Sequence, residues 1–293
     1  MTIIAILLAF ALCHFIRELG RCRQNRWLHN WVELANDALG KLPGWSGVSG
    51  FLVIIAVPLI LLLLINHLLI ALLGSTGGFL LALAVLIYSF GPRDLDTDVA
   101  AVVDQENDER RQELLEDLLG EPAPEDRDEC RALAVEAVFQ QALRRWFGVI
   151  FWFAVLGVAG AFLYRVVDWL VNNEYALGEE QKNLIRHMQE IMDWPAAQLM
   201  TLSLAIATDF DSVYSAWKKY HDEQGHGLFE GDNGFLLAAA RSVVLSGHAA
   251  QDGYADLLDG PMLGLQQAMD LTWRMLGVWM TVLAILLLVG VIV

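Results

Sequence analysis

The chain has 293 residues, of which 56% are hydrophobic, and its formal net charge is −16. Such a high apolar content is typical of membrane proteins and exceeds that of ordinary soluble domains. The acidic balance argues against nucleic acid as a partner, because phosphate binding needs Lys and Arg. The sequence therefore predicts an all-α, polytopic membrane protein with amphipathic surface helices, whose main partner is the lipid bilayer.

Apolar runs predict five membrane spans, at residues 2–16, 51–73, 77–90, 146–164 and 275–293. The second has 23 residues without Asp, Glu, Lys or Arg, which is enough helix to cross a hydrocarbon core of about 30 Å. The fourth, WFGVIFWFAVLGVAGAFLY, has 19 uncharged residues. Arg144, Arg145 and Arg165 flank it, and with the terminal aromatic residues they resemble the belt expected at a bilayer surface.

Residues 92–145 are predicted to form a small acidic helical segment. Acidic residues outnumber basic ones sixteen to five between Arg93 and Glu136. The basic cluster in the first loop predicts that this loop is cytoplasmic; it consists of Arg17, Arg21, Arg23, Arg26 and Lys41. Two further spans would return the chain to that side, so residues 92–145 are also predicted to be cytoplasmic.

Three aspartates at the start of this acidic segment are candidate metal ligands. Asp94, Asp96 and Asp98 alternate along the chain, and in an extended loop they would place carboxylates around a hard cation such as Mg²⁺. The other interpretation is a solvated loop that leads into a helix N-terminus, where acids suit the helix dipole. No cofactor other than Mg²⁺ is expected.

Residues 165–274 form a predicted polar amphipathic region beside the central apolar block. Its polar side chains predict a groove that binds a small ligand or a partner, formed by Asp168, Asn172, Asn173, Tyr175, Asp193 and Gln198. No phosphate-binding loop, GxSxG or HExxH pattern is present. A binding protein without catalysis is therefore favoured over an enzyme.

The five spans lead to a conflict over sidedness. Four spans before residue 165 would place residues 165–274 outside the cytoplasm, whereas ATP chemistry would need this region inside. A further crossing near 195–207 or 235–250 would remove the conflict. So would a central block that re-enters the membrane without crossing it.

Four segments in order resemble the AmpE family of bacterial inner-membrane proteins, and more distantly the CobD/CbiB family of cobalamin biosynthesis. They are GPRDLD (91–96), residues 139–170, MDWPAAQLMTLSLA (192–205) and residues 241–264. The AmpE resemblance implies one membrane domain over residues 1–293 in the bacterial inner membrane. It also implies signalling in β-lactamase induction and cell-wall recycling, through a cell-wall-derived ligand or a protein partner.

The CobD/CbiB resemblance implies a different activity. Adenosylcobinamide-phosphate synthase condenses an amino alcohol phosphate with a corrinoid acid, using ATP and Mg²⁺. This chain departs from that pattern at two places. The NNEY stretch (172–175) lacks the arginine that the family has there, and Gln198 stands where the family has a second arginine. A neutral amide cannot replace the bidentate guanidinium that binds phosphate. The sensor is therefore the favoured hypothesis, and the ligase is the alternative.

Overall fold

The computed structural model describes residues 2–15, 25–91, 94–173, 177–224, 232–249 and 261–289. Every regular element in these ranges is helical, which confirms the predicted all-α class. The helices are α1 (Thr2–Phe15), α2 (Arg26–Leu39), α3 (Val48–Leu73), α4 (Ser75–Ser89), α5 (Leu95–Val103), α6 (Asp108–Leu119), α7 (Arg127–Ala142), α8 (Gly148–Asn172), α9 (Glu179–Ala207), α10 (Phe210–Gln224), α11 (Gly234–Ala249) and α12 (Pro261–Leu288). A π-helical turn, Leu143–Phe147, joins α7 to α8.

Three helical stretches in the described ranges are long and apolar enough to cross a membrane, namely Val48–Leu73, Arg127–Asn172 and Gly264–Leu288. They contain the predicted spans 51–73 and 146–164 and most of 275–293. The other two predicted spans, 2–16 and 77–90, fall on shorter apolar helices, Ile3–Cys13 and Ser75–Ser89. The protein thus has the helices expected of a polytopic α-helical membrane protein.

The chain divides into two compact units, each assembled from separate stretches. The first contains Met1–Pro92, Arg144–Asp193 and Leu286–Val293, and the second contains Arg93–Leu143 and Trp194–Ile285. The sequence predicts a single domain over 1–293. This single-domain assignment stays a prediction.

In the first unit, α1, α3, α4 and α8 pack against one another. The ring of Phe10 on α1 stands edge-on to Phe90, at 5.7 Å, and to Trp146, at 5.3 Å, so it links the end of α4 to the start of α8. Helix α2 buries Leu28, Val32 and Ala35 along one stripe. Its Trp31 Nε1 donates a hydrogen bond of 3.0 Å to the Ile54 carbonyl oxygen, which attaches α2 to α3.

Two single-glycine turns reverse the chain in this unit. Gly74, with φ 64° and ψ −150°, joins α3 to α4, and Gly157 within α8 has nearly the same conformation, φ 64° and ψ −146°. Positive φ is the region that glycine enters without steric cost. Side chains would clash at matching places beyond both turns, since a Cβ on Gly77 would overlap the Leu69 carbonyl and a Cβ on Gly160 the Trp152 carbonyl.

Helix α8 is therefore a hairpin with arms 148–156 and 158–172. A Cβ on Gly148 would overlap the ring of Tyr164. In a straight helix these two positions would be about 24 Å apart. The sequence predicts one straight span over residues 146–164, and that shape is wrong. Hydropathy reports how apolar a stretch is, whereas the reversal depends on the conformation of one glycine.

In the second unit, α5, α6 and α7 pack as a small group, and α7 and α10 each pack against α11. Leu95, Val99, Leu115 and Leu118 are buried in the first group. The side chain of Asn107 accepts a hydrogen bond of 2.9 Å from the Arg110 N–H and caps α6. Gly120 ends this helix in the left-handed conformation, with φ 80°.

Candidate functional site: a buried polar cluster

The first unit contains a group of polar side chains beside the central hairpin, most of them buried, which we call the polar cluster. Its members come from the π-helical turn, the second arm of α8 and the first half of α9; they are Arg144, Tyr164, Arg165, Asp168, Asn172, Gln189 and Asp193. Asp168 is only 5% exposed and Asp193 only 1%. Carboxylates buried this deeply need partners, because desolvation without compensation is very unfavourable.

Asp168 is held by three side-chain donors. Arg165 Nη1 donates to its Oδ2 at 2.7 Å, and Gln189 Nε2 approaches its Oδ1 at 3.5 Å. Asn172 Nδ2 lies 2.7 Å from the Asp168 carbonyl oxygen and 3.4 Å from Oδ1. Arg165, Asp168 and Asn172 share one helix face, because residues three and four apart are neighbours in a helix. Gln189 ties this face to α9.

Asp193 is the second buried acid of the cluster. The Tyr164 hydroxyl donates to its Oδ1 at 2.6 Å, and Arg144 Nε lies 3.9 Å from its Oδ2. Trp152 Nε1 donates to the neighbouring Met192 carbonyl oxygen at 2.9 Å. Trp152 and Tyr164 lie on opposite arms of the α8 hairpin. The Gly157 turn therefore lets both arms contact the same short stretch of α9.

Three buried atoms of the cluster make no hydrogen bond within the described residues. They are the Nε atoms of Arg144 and Arg165 and the Oε1 atom of Gln189. A buried polar atom without a partner costs about 1–3 kcal/mol, so three in one cluster form an unusual concentration of unmet bonding capacity. The guanidinium N–H groups suit a carboxylate or phosphate, and the amide oxygen suits an N–H or O–H donor.

The structure brings together part of the predicted ligand groove. Asp168, Asn172 and Asp193 belong to the polar cluster, and Tyr164 interacts electrostatically with both acids. Asn173 Nδ2 instead donates to the Trp169 carbonyl oxygen at 2.9 Å. Tyr175 lies outside the described residues.

Gln198 belongs to the second unit. There it lines an apolar groove of about 200 Å³ between α9 and α10, together with Thr201, Leu202, Ala205, Phe210, Val213, Tyr214 and Trp217. These mostly apolar neighbours differ from the polar surroundings that the sequence predicts for Gln198. Its assignment to a ligand site stays a prediction.

Sequence reasoning missed four members of the cluster, Arg144, Tyr164, Arg165 and Gln189. The first three flank or end the uncharged block, and from the sequence they are assigned to a belt at the bilayer surface. In a straight span Arg144 and Arg165 would lie about 30 Å apart. Gly157 within the apolar run could have signalled a reversal, but the same block also contains Gly148 and Gly160, so a glycine there is a weak signal.

The three candidate metal ligands lie at the start of a helix and not along an extended loop. Asp94 directly precedes α5, and Asp96 and Asp98 lie in its first turn, where acids suit the helix dipole. Asp96 Oδ1 accepts a hydrogen bond of 3.3 Å from Trp273 Nε1. No group of three His, Cys, Asp or Glu residues that could hold a metal ion is found in the described ranges. The loop geometry behind the metal prediction is therefore incorrect, and Mg²⁺ binding itself stays a prediction.

A second, open groove of about 810 Å³ lies between α10 and α11. Both cations in its lining are already paired, since Lys219 Nζ lies 3.7 Å from Glu223 and Arg241 Nη1 lies 3.7 Å from Glu136. Burial and a hydrogen bond to Asp232 raise the pKa of Tyr220, which therefore stays protonated as a donor. This groove has the size of a small-molecule site but lacks the unmet bonding capacity of the polar cluster.

Comparison with known proteins identifies the family. Residues 6–172 match the family described as CobD/Cbib protein. This match covers more than half of the chain, so the chain belongs to the CobD/CbiB family. It includes both arms of the α8 hairpin and the cluster residues up to Asn172. The resemblance to the AmpE family stays a prediction.

One curated relative is "Cobalamin biosynthesis protein CobD" of Stutzerimonas stutzeri (strain A1501). It is 27% identical over 166 residues, which cover 51% of this chain and 52% of the relative. The match therefore spans about half the length of that protein. No solved structure matches the chain.

Proposed function

We propose that this chain is a non-catalytic signalling modulator within the CobD/CbiB family, located in the bacterial inner membrane as a multi-pass protein. Its signal concerns β-lactamase induction and cell-wall recycling, and a small cell-wall-derived ligand binds at the polar cluster. The observation that supports this proposal is the set of three buried atoms on Arg144, Arg165 and Gln189 that make no hydrogen bond within the described ranges. They provide binding capacity beside two acids that already have partners in the protein.

The chemistry of the cluster defines the ligand class. Two guanidinium groups favour a carboxylate or a phosphate, and the Gln189 amide oxygen favours a ligand amide or hydroxyl. Fragments of cell wall carry carboxylates, amides and hydroxyls together. Asp168 and Asp193 act as positioning residues in this proposal, because they hold the donors of the cluster in place.

The test uses a strain that lacks this chain's gene, complemented with variants and exposed to an inducing β-lactam. We expect Asp168→Asn, Asp193→Asn and Gln189→Leu to reduce β-lactamase induction toward the level of the deletion strain. The matched control is Asp117→Asn, which changes an exposed acid on α6. Immunoblots of the membrane fraction must show equal amounts of each variant. Intact induction in the three cluster variants would remove the cluster from the signalling pathway.

The alternative is an ATP- and Mg²⁺-dependent ligase of the cobinamide-phosphate synthase type. Family membership and the relative's name favour it, and the two arginines of the cluster would suit a phosphate group. We expect the purified protein to form no ATP- and Mg²⁺-dependent product from a panel of amines and acids. Product formed by the unaltered chain would replace the signalling proposal. Product formed only by Gln198→Arg would show that this substitution accounts for lost catalysis.

A further inference from the structure

The uncharged block at residues 146–164 is folded in two by the Gly157 turn. Its uncharged residues before the turn run from Trp146 to Leu156, and those after it from Val158 to Tyr164. At ~1.5 Å per residue these two uncharged stretches are about 16 Å and about 10 Å long. The hydrocarbon core of a bilayer is about 30 Å thick. Neither uncharged stretch is therefore long enough to cross it.

The tip of the hairpin is apolar and points away from the protein. Val155 is 56% exposed and Leu156 is 52% exposed. A Cβ placed on Gly157 would have no atom within 4 Å, so the outer side of the turn is open. Apolar surface is unfavourable in water by roughly 25 cal/mol per Å². Lipid acyl chains would remove this cost without any further protein contact.

A one-residue turn also leaves few backbone polar groups exposed to the hydrocarbon of the bilayer. Backbone polar groups exposed to lipid must find partners within the protein. The Gly74 turn has nearly the same backbone angles, and there the Gly74 N–H donates to the Ile70 carbonyl at 2.8 Å and the Gly77 N–H to the Gly74 carbonyl at 3.1 Å. Such a turn adds no polar loop to the buried tip.

We propose that the α8 hairpin is re-entrant. Its apolar arms enter the bilayer from one face, the chain reverses at Gly157 in contact with lipid acyl chains, and the second arm returns to the same face. The two ends of the uncharged block, Trp146 and Tyr164, lie toward that face. Its tip contacts the acyl chains in the bilayer interior and not the aqueous phase.

The proposal removes the conflict over sidedness. The stretch Arg127–Asn172 is apolar enough to count as a candidate span, yet a re-entrant hairpin contributes no crossing. The sequence-based topology counts this block as the fourth span. Without that crossing, the residues that follow the hairpin remain on the same side as the acidic helices that precede it.

The first experiment measures the environment of the tip. A single cysteine replaces Val155 or Leu156 in a chain whose three native cysteines are changed to serine. Each of these variants is labelled with a nitroxide at that cysteine and reconstituted into liposomes. We expect frequent collisions with oxygen and a loss of collisions with a water-soluble nickel complex. Leu61, exposed on α3, is the matched lipid control, and Glu113, exposed on α6, is the matched water control.

Two other outcomes of this experiment would overturn the proposal. Frequent collisions with nickel would place the tip in water. Rare collisions with both reagents at both positions would mean that protein covers the tip, either a second copy or another subunit. The two neighbouring labelling positions guard against a single variant that fails to fold.

The second experiment tests the reversal. Cysteines at Glu125 and Asn183, exposed residues before and after the hairpin, are treated with a membrane-impermeant maleimide in intact spheroplasts and after lysis. A re-entrant hairpin gives both positions the same labelling pattern. Opposite patterns would show that the chain crosses the membrane between them.

Discussion

At the residue scale, the buried pair between Arg165 and Asp168 has an exposed counterpart of the same spacing. Arg110 and Glu113 also pair three residues apart, but their side chains are 61% and 62% exposed, whereas those of Arg165 and Asp168 are 6% and 7% exposed. Exposed pairs contribute about 0–1 kcal/mol, while removing one partner of a buried pair costs about 3–5 kcal/mol. The same interaction therefore has a different consequence in the two places.

We predict that Arg165→Met destabilises the protein by about 3–5 kcal/mol, because it leaves the Asp168 carboxylate buried without its cation. Arg110→Met should cost less than about 1 kcal/mol. Thermal unfolding in detergent measures both. The double variant that combines Arg165→Met with Asp168→Leu should recover most of the loss, since it removes both buried charges. Equal effects of the two single arginine variants would contradict a buried ion pair.

A second residue-scale prediction concerns Asp209, which precedes α10. Hydrogen bonds from the side chain and the backbone N–H of Ser212 lower the pKa of the Asp209 carboxyl. A carboxyl whose pKa is lowered in the folded state stabilises it above the unfolded pKa. That contribution is lost as the pH falls through the lowered folded value.

The melting temperature of the unaltered protein should therefore exceed that of Asp209→Asn at neutral pH. This difference should shrink as the pH is lowered into the acidic range. Asp117→Asn is the control, and its difference from the unaltered protein should stay small throughout. A difference for Asp209→Asn that grows with acid would contradict a lowered pKa of this carboxyl in the folded protein.

Local spacing made part of the site predictable at this scale. Asp168 and Asn172 lie four residues apart, so helical periodicity alone places them on one face. Arg144 and Gln189 reach the cluster from other elements, and no local pattern indicates that contact. The alternation of Asp94, Asp96 and Asp98 had two structural interpretations, and the structure places them at a helix start.

At the element scale, the two glycine turns decide how the apolar segments are arranged. Hydropathy located the helices of the first unit well, because long uncharged runs are a strong signal. It did not reveal that α8 reverses. A second difference from the sequence-based expectation is α5. It begins at Leu95, in the stretch expected to be a loop, and it ends at Val103, before the separate helix α6 begins at Asp108.

We predict that Gly157→Ala destabilises the protein by about 1–2 kcal/mol, because an L-residue at positive φ is strained although the site has room for a methyl group. Gly277 on α12 is the matched control, since it also has no neighbour within 4 Å but lacks a positive φ. Gly277→Ala should stabilise the helix by up to about 1 kcal/mol. Thermal unfolding in detergent compares the two. A stabilising Gly157→Ala would exclude the turn.

At the scale of the whole molecule, the sequence predicted the class of protein better than its topology. Composition and span length suffice for an α-helical membrane protein, and the CobD/CbiB resemblance was confirmed over residues 6–172. The count of crossings depends on whether each apolar block is straight, which hydropathy does not report. The polar cluster depends on the same reversal, since the hairpin brings Arg144 and Tyr164 to Asp193.

The one-residue turns also bear on how the protein is made. A hairpin with an extended polar loop at its tip must translocate that loop through the membrane during biosynthesis, which requires machinery or an electrochemical gradient. The Gly74 and Gly157 turns carry no charged residue. In the re-entrant arrangement that we propose, the tip of the α8 hairpin therefore carries no charged residue into the bilayer.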